Sequence, residues 1–243
     1  MKQFNITIYS LFLSVCLMSF NIPCINQDVT VHVILCGATQ VDDIGAGVGV
    51  SLKLMKNAME YVKSQINVTI EYYELNGNNF EKSHIVSVLK DLYVNSNDVI
   101  LFYSTSHGFN YNNGISKYPF IGAHPTKKDM TQEEFDVYGL SLEKEVMKTL
   151  QKKGARLTIA MAEACNTIID IPTPKRYNAM NVNIGKRLEE LFIYESGSLI
   201  ASSSVIDQRS WTDDKDGGIY TNMFINALNE VISWSDLDDE EPT

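Results

Sequence analysis

The chain has 243 residues, of which 44% are hydrophobic, so it is long enough for one sizeable core and too short to require two. Its formal net charge is −10 and its pI is near 4.9. That charge argues against a nucleic-acid partner, because neutralising phosphates requires a basic surface. Composition therefore favours one acidic domain of catalytic size.

The first 24 residues have the layout of a secretory signal peptide. Lys2 precedes an apolar run that ends near Asn21, and this run is short for a membrane span. We therefore predict that the protein is exported, either to the periplasm or out of the cell, and that its mature form has no stable membrane span. A small, exported, single-domain protein suggests a bacterial origin. The run Leu13-Ser-Val-Cys16 partly matches a lipobox, which makes lipid anchoring at Cys16 an alternative.

Residues 28–235 predict one domain in which short β-branched strands alternate with helices. The acidic residues 236–243 form a solvated tail. A loop follows the first strand up to Gly49, and residues 105–137 are irregular enough for a functional loop or a small hairpin. Strands are expected at 29–36, 68–75, 98–104, 155–163 and 198–203, and helices at 51–64, 81–94, 141–153, 182–194 and 219–233.

This alternation indicates a three-layer α/β fold, with a mostly parallel central sheet and helices on both faces. In such sheets the functional site lies at the carboxyl ends of the strands. The sequence therefore directs attention to the residues that directly follow each predicted strand.

Two predicted strands end in residues that carry chemistry. One runs into Ser104-Thr-Ser-His-Gly108, and the other into Glu163-Ala-Cys-Asn166. A thiolate is the form that attacks a carbonyl, and a neighbouring imidazole can stabilise it and then protonate the leaving amine. His107 precedes Cys165 by 165 − 107 = 58 residues, near the spacing of about 50 typical of caspases.

Three segments, in order, resemble the caspases and metacaspases. They are the strand leading to His107-Gly108, the strand leading to Cys165, and 198–204 followed by Gly217-Gly-Ile-Tyr-Thr. The resemblance implies a caspase-like fold and a cysteine endopeptidase acting on a peptide or protein substrate, without an obligatory cofactor. It further implies that Cys165 attacks, that His107 protonates the amine, and that the N–H groups of Gly108 and Cys165 form the oxyanion hole.

Substrate specificity leaves several alternatives open. Caspases bind Asp with arginines, and no Arg precedes Arg156, so cleavage after Asp is not expected. Glu163 and Asp207 could line a pocket for Lys or Arg, while the Glu-Ala-Cys165 form is similar to that of the Asn-specific legumains. The alternative function from a different class is that of an exported binding domain, which has the same fold but no catalytic activity.

The remaining motifs give weaker predictions. Asp213, Asp214 and Asp216 form an acidic loop that is a candidate for calcium, which requires six to eight oxygen ligands, and no His/Cys cluster has the spacing for zinc. Lys127-Lys128 and Lys175-Arg176 lie in the two loops flanking the predicted site and are candidates for self-cleavage.

The other cysteines and histidines have ordinary interpretations. Cys16 lies in the signal segment and Cys24 at its border, which leaves Cys36 and Cys165 securely in the mature chain; these cysteines form no disulfide framework. Cys36 is predicted to be a core residue. His32, His84 and His124 are interpreted as structural or surface residues.

Overall fold

The structure is a computed structural model, and it describes residues 29–111, 116–167, 188 and 190–234. Several predictions lie outside these residues: the signal peptide at 1–24, lipid anchoring at Cys16, self-cleavage at Lys175-Arg176, and the acidic tail at 236–243. Most of the helix expected at 182–194 also lies outside them.

The five strands of the central sheet are β1 Thr30–Gly37, β2 Thr69–Asn76, β3 Val99–Thr105, β7 Leu157–Glu163 and β8 Gly197–Ser202. They are all parallel and lie in the order β2-β1-β3-β7-β8. The central strands β1, β3 and β7 are almost fully buried, because helices cover both faces of the sheet. Their continuous runs of Val, Ile, Leu and Ala are what a strand buried on two faces requires.

Helices α1 (Gly45–Gln65) and α5 (Ile219–Trp234) cover one face of the sheet, where Val33 and Leu35 meet Met55 and Met59. Helix α2 (Lys82–Asp91) covers the other face. Beside it lies a π-helix, Leu142–Met147, that continues into α4 (Lys148–Gln151). These two apolar layers confirm the predicted three-layer α/β architecture. Among the described residues, no helix combines the length and apolarity needed to span a membrane.

A three-stranded antiparallel sheet occupies the irregular stretch after β3. It consists of β4 Gly108–Phe109, β5 Phe120–Gly122 and β6 Gly139–Ser141, with α3 (Gln132–Tyr138) between β5 and β6. The ring centroids of Phe109 and Phe135 lie 4.1 Å apart, so the helix packs on this sheet. The strands β9 Thr212–Asp213 and β10 Gly217–Gly218 form a second small hairpin, which the sequence patterns did not predict.

The start of α1 differs from the prediction. The helix begins at Gly45, so the glycines expected in a loop form its first turn. A Cβ at Gly45 would lie 2.5 Å from the carbonyl oxygen of Thr39, and one at Gly47 would lie 2.5 Å from Thr212 Oγ1. Close backbone approach, and not loop flexibility, explains these glycines.

Candidate active site

The carboxyl ends of the three central strands meet at one edge of the sheet. Gly37 of β1 pairs with Thr105 of β3, which in turn pairs with Glu163 of β7. The Ser106 N–H continues the ladder and donates to the Glu163 carbonyl over 3.2 Å. His107 and Cys165 therefore leave two adjacent strands on the same edge, as the strand pattern predicted.

A cavity of about 260 Å³ opens at this edge, and both His107 and Cys165 line it. Its wall also contains Asp43, from the turn between β1 and α1, and Glu163, from the end of β7. Trp211, which is 66% exposed, borders the opening. The cavity thus brings one thiol, one imidazole and two carboxylates together in a site that solvent can reach.

Cys165 is partly exposed, and it is a free cysteine. Its Sγ lies 3.4 Å from the Ser210 amide nitrogen and 3.7 Å from the Ser210 carbonyl oxygen. The backbone at Ser210 therefore satisfies the sulfur in both directions. The S–H···O contact is lost when the thiol gives up its proton, whereas the Ser210 N–H can continue to donate to a thiolate.

His107 is held at its backbone and at its ring. The Ser106 hydroxyl and the Gly122 N–H both donate to the His107 carbonyl, over 2.8 and 2.9 Å. The ring Nε2 lies 3.0 Å from Asp43 Oδ1, and since an ionised carboxylate only accepts, Nε2–H is the donor. Among the described residues the ring thus bonds to Asp43 and not to Cys165.

The Asp43 carboxylate also binds a lysine. Its Oδ2 lies 3.1 Å from the Nζ of Lys128, which belongs to the segment between β5 and α3. Burial alone would raise the pKa of Asp43, but the hydrogen bonds and charges of His107 and Lys128 outweigh it and hold this pKa below its usual value. The carboxylate at the cleft is therefore ionised at neutral pH.

Gly108 follows the histidine in β4 and lies directly against the cysteine loop. A Cβ there would lie 2.5 Å from the Cys165 carbonyl oxygen and 2.7 Å from Ala164 Cβ. Only glycine allows β4 to approach the cysteine loop this closely. Its role in an oxyanion hole, together with the Cys165 N–H, stays a prediction.

Glu163 is 3% exposed, and both of its carboxylate oxygens are engaged. Oε1 accepts the N–H groups of Tyr220 and Thr221 in the first turn of α5, over 2.9 and 3.3 Å. Oε2 accepts the hydroxyls of Tyr103 and Thr221, over 3.0 and 2.7 Å. The side chain therefore joins β7 to the amino end of α5, and its role in binding substrate stays a prediction.

The neighbours of Glu163 are adapted to its charge. A Cβ at Gly218 would lie 1.9 Å from the carboxylate atoms, so glycine is required for the carboxylate to reach the helix. Burial, followed by the charge of Glu163, raises the pKa of Tyr220 to about 12. The same two effects raise the pKa of Tyr103 well above its usual value, so its hydroxyl remains a donor.

Asp207 lies in a turn beside the cysteine loop. Its N–H donates to the Asn166 carbonyl over 2.8 Å, and its φ of 65° is in the left-handed region that Asp and Asn tolerate better than most residues. Within the part of the chain that the structure describes, the cavity wall does not include Asp207. Asp207 therefore does not line the cavity with His107, Cys165 and Glu163, and its role in binding substrate stays a prediction.

A pair of buried asparagines fixes the chain around the cysteine, a feature that the sequence patterns missed. Asn110 Nδ2 donates to Asn166 Oδ1 over 2.6 Å, while Asn166 Nδ2 donates to the carbonyl oxygens of Lys117 and Ser204. Both side chains are at most 1% exposed. They tie β4 to the cysteine loop, since buried amides must find partners.

The other candidate residues have local roles. Burial raises the pKa of the Cys36 thiol, which is consistent with a core residue. His32 is buried between Asp98 and Glu71 at the opposite end of β1. Asp213 accepts the backbone N–H groups of Lys215 and Asp216, which closes the β9–β10 hairpin. Among the described residues, no three His, Cys, Asp or Glu side chains are grouped to hold a metal ion.

The fold and the cleft define a class of protein: an α/β protein that carries a thiol and an imidazole on adjacent strands at the carboxyl edge of a parallel sheet. The sequence matches the caspase domain, a peptidase family, over residues 52–239. Because this match covers well over half of the chain, the protein belongs to the caspase-domain family, which is a family of cysteine peptidases. A search of curated proteins finds no match.

His107 and Cys165 lie inside the matched range, whereas Asp43 precedes it. The sequence patterns did not single out Asp43, because an acidic residue after a strand is common in surface turns. The signal that could have found it is its position: it follows β1, whose end lies beside the end of β3 that carries His107.

Proposed function

We propose that this protein is a cysteine endopeptidase in which Cys165 is the nucleophile and His107 the general acid and base. The observation that carries the proposal is that both side chains line one solvent-accessible cavity at the carboxyl edge of the sheet. Family membership over residues 52–239 supports the peptidase class independently.

The reaction needs no group beyond the chain, the peptide and water. The thiol proton moves to His107, Sγ bonds to the scissile carbonyl carbon, and the C–N bond breaks as His107 protonates the departing amine. Water, deprotonated by His107, then attacks the thioester carbonyl. The C–S bond breaks, the acid product leaves, and the proton returns to the Cys165 sulfur.

For specificity we propose cleavage after Lys or Arg. Two carboxylates, Asp43 and Glu163, line the cavity, and Asp43 already binds the ammonium of Lys128. A negatively charged cleft would favour a cationic side chain and disfavour Asp. Glu163 is committed to four hydrogen bonds, and Asp43 is committed to His107 and Lys128. Both carboxylates would therefore act through the negative charge that they give the cleft. Legumain-like cleavage after Asn is the competing specificity.

The alternative from another class is a peptide-binding domain without turnover. One observation favours it: the Cys165 sulfur contacts the Ser210 backbone, and among the described residues no hydrogen bond joins it to the His107 ring. In a peptidase, substrate binding must bring the thiol and the imidazole into contact, whereas a binding domain requires no contact between them.

Turnover of fluorogenic peptides ending in Arg, Lys, Asn or Asp tests these proposals under reducing conditions. Cys165→Ala and His107→Ala are the test variants, and Cys36→Ala is the matched thiol control. We expect the wild type to cleave after Arg and Lys. Turnover should fall by at least about 10²-fold in both test variants and stay unchanged in the control. Cleavage after Asn would favour the legumain-like specificity, and no turnover with any peptide would favour the binding domain.

Self-cleavage at Lys127-Lys128 and export remain proposals. Lys128 is 54% exposed and contacts the cleft through Asp43, so its segment is close to the proposed nucleophile. Intact mass after long incubation should show a cut in the wild type and none in Cys165→Ala; an uncut wild type would remove the proposal. Expression of the full chain in a bacterial host, with the amino terminus of the fractionated protein sequenced, tests export and signal removal.

A further inference from the structure

We propose that Asp43 is a positioning residue for the reaction proposed above. Its carboxylate accepts the Nε2–H of His107 and so holds the ring, while Lys128 binds the other oxygen of the same carboxylate and weakens its attraction for the ring. This inference rests on the proposed function and adds a third and a fourth residue to it. Asp43 lies outside the matched family range, so family membership does not supply this role.

The geometry gives each carboxylate oxygen one partner. Oδ1 lies 3.0 Å from His107 Nε2, and Oδ2 lies 3.1 Å from Lys128 Nζ. Because Nε2 carries the proton that it donates to Asp43, Nδ1 is the nitrogen with a free lone pair in the neutral ring. The carboxylate therefore selects the tautomer, and Nδ1 is the atom that takes the thiol proton and gives it to the amine.

The charges around the ring act in opposite directions. Asp43 attracts the positive charge that the ring gains when it takes the thiol proton, while the Lys128 ammonium on the far oxygen repels that charge. The other titratable side chains of the wall are Cys165 and Glu163, and the Glu163 carboxylate is bound to Tyr103 and to the first turn of α5. Removing Asp43 or Lys128 should thus have opposite effects on the same ring.

Two partly exposed side chains make the test practical, because Asp43 is 30% and Lys128 54% exposed and neither belongs to the core. The full chain is labelled with [15N]histidine, and the His107 signals are identified by their loss in His107→Ala. In the wild type we expect the Nε2–H tautomer. Asp43→Asn, whose amide can also donate to Nε2, should shift the ring toward the Nδ1–H tautomer.

The same spectra, recorded against pH, provide the second readout. Asp43→Asn should lower the pH midpoint of the His107 signals, and Lys128→Met, which removes only the opposing charge, should raise it while keeping the tautomer. An unchanged tautomer and midpoint in Asp43→Asn, or shifts in the same direction in both variants, would overturn the proposal. A residue that only supported the fold would not produce opposite shifts.

Kinetics separate this inference from the proposed function. We expect Asp43→Ala to lower kcat by about tenfold or more with little change in KM for the best peptide, because the loss is in proton transfer. If the wild type cleaves no peptide, the proposed function fails while the spectra still decide the role of Asp43. If the wild type cleaves and the spectra of Asp43→Asn match those of the wild type, only this inference fails.

Discussion

Replacement of Glu163 tests the most heavily bonded side chain at the cleft. Glu163→Ala leaves the N–H groups of Tyr220 and Thr221 without their acceptor. The hydroxyls of Tyr103 and Thr221, which lie 2.5 Å apart, can still hydrogen-bond to each other. Each unsatisfied buried N–H costs about 1–3 kcal/mol, so we expect the free energy of unfolding to fall by about 2–6 kcal/mol. That is a large part of the stability of an ordinary domain.

Glu163→Gln is the matched control. Its amide oxygen can still accept both N–H groups, and its NH₂ group can donate to a hydroxyl that has reoriented. The variant loses mainly a negative charge at the amino end of α5, worth about 0.5–2 kcal/mol.

Urea unfolding monitored by fluorescence measures both variants. An Ala variant within about 1 kcal/mol of the wild type, or a Gln variant as unstable as the Ala variant, would refute the anchoring role. If Glu163 also binds substrate, Glu163→Gln should lose more turnover with Arg-ended than with Asn-ended peptides.

Three further predictions concern single contacts. Gly108→Ala should cost about 1–3 kcal/mol in urea unfolding and abolish peptide turnover, since its Cβ collides with the Cys165 carbonyl; a variant with full turnover would contradict this close approach. Thr131→Ala removes the capping box with Glu134 at the start of α3, so calorimetry should show that the free energy of unfolding falls by about 1 kcal/mol. An unchanged free energy of unfolding would show that the cap does not stabilise the chain. Arg156→Lys should destabilise the chain by about 1–3 kcal/mol, because lysine cannot reproduce the fork that contacts the Phe192 and Glu195 carbonyls; equal unfolding midpoints would rule this out.

The layered fold, and the placement of His107 and Cys165 at one edge of the sheet, could be predicted from the sequence for one physical reason. Parallel strands buried on both faces appear as continuous apolar runs, and the residues directly after each run lie at the carboxyl edge of the sheet. That is why His107 and Cys165 could be paired across 58 residues. Because chain order alone does not fix which turns cover that edge, Asp43 was missed.

Glu163 and the glycines show the limit of reading residue types. An acidic residue two before the cysteine has the same sequence signal whether it faces a ligand or a helix end. The helix α5 can reach it only because Gly218 leaves room, which is a tertiary fact. Likewise, Gly45 and Gly47 resemble a loop by composition, yet they belong to a helix pressed against Thr39 and Thr212.

The most direct test of the central claim is covalent labelling of the full chain by a peptide carrying an electrophilic ketone after Arg, with the modified residue located by mass spectrometry. The account predicts a label on Cys165 and none on the buried Cys36, formed at least about 10²-fold more slowly in His107→Ala. No label on Cys165, or equal rates in the wild type and His107→Ala, would contradict a cysteine peptidase that works through this pair.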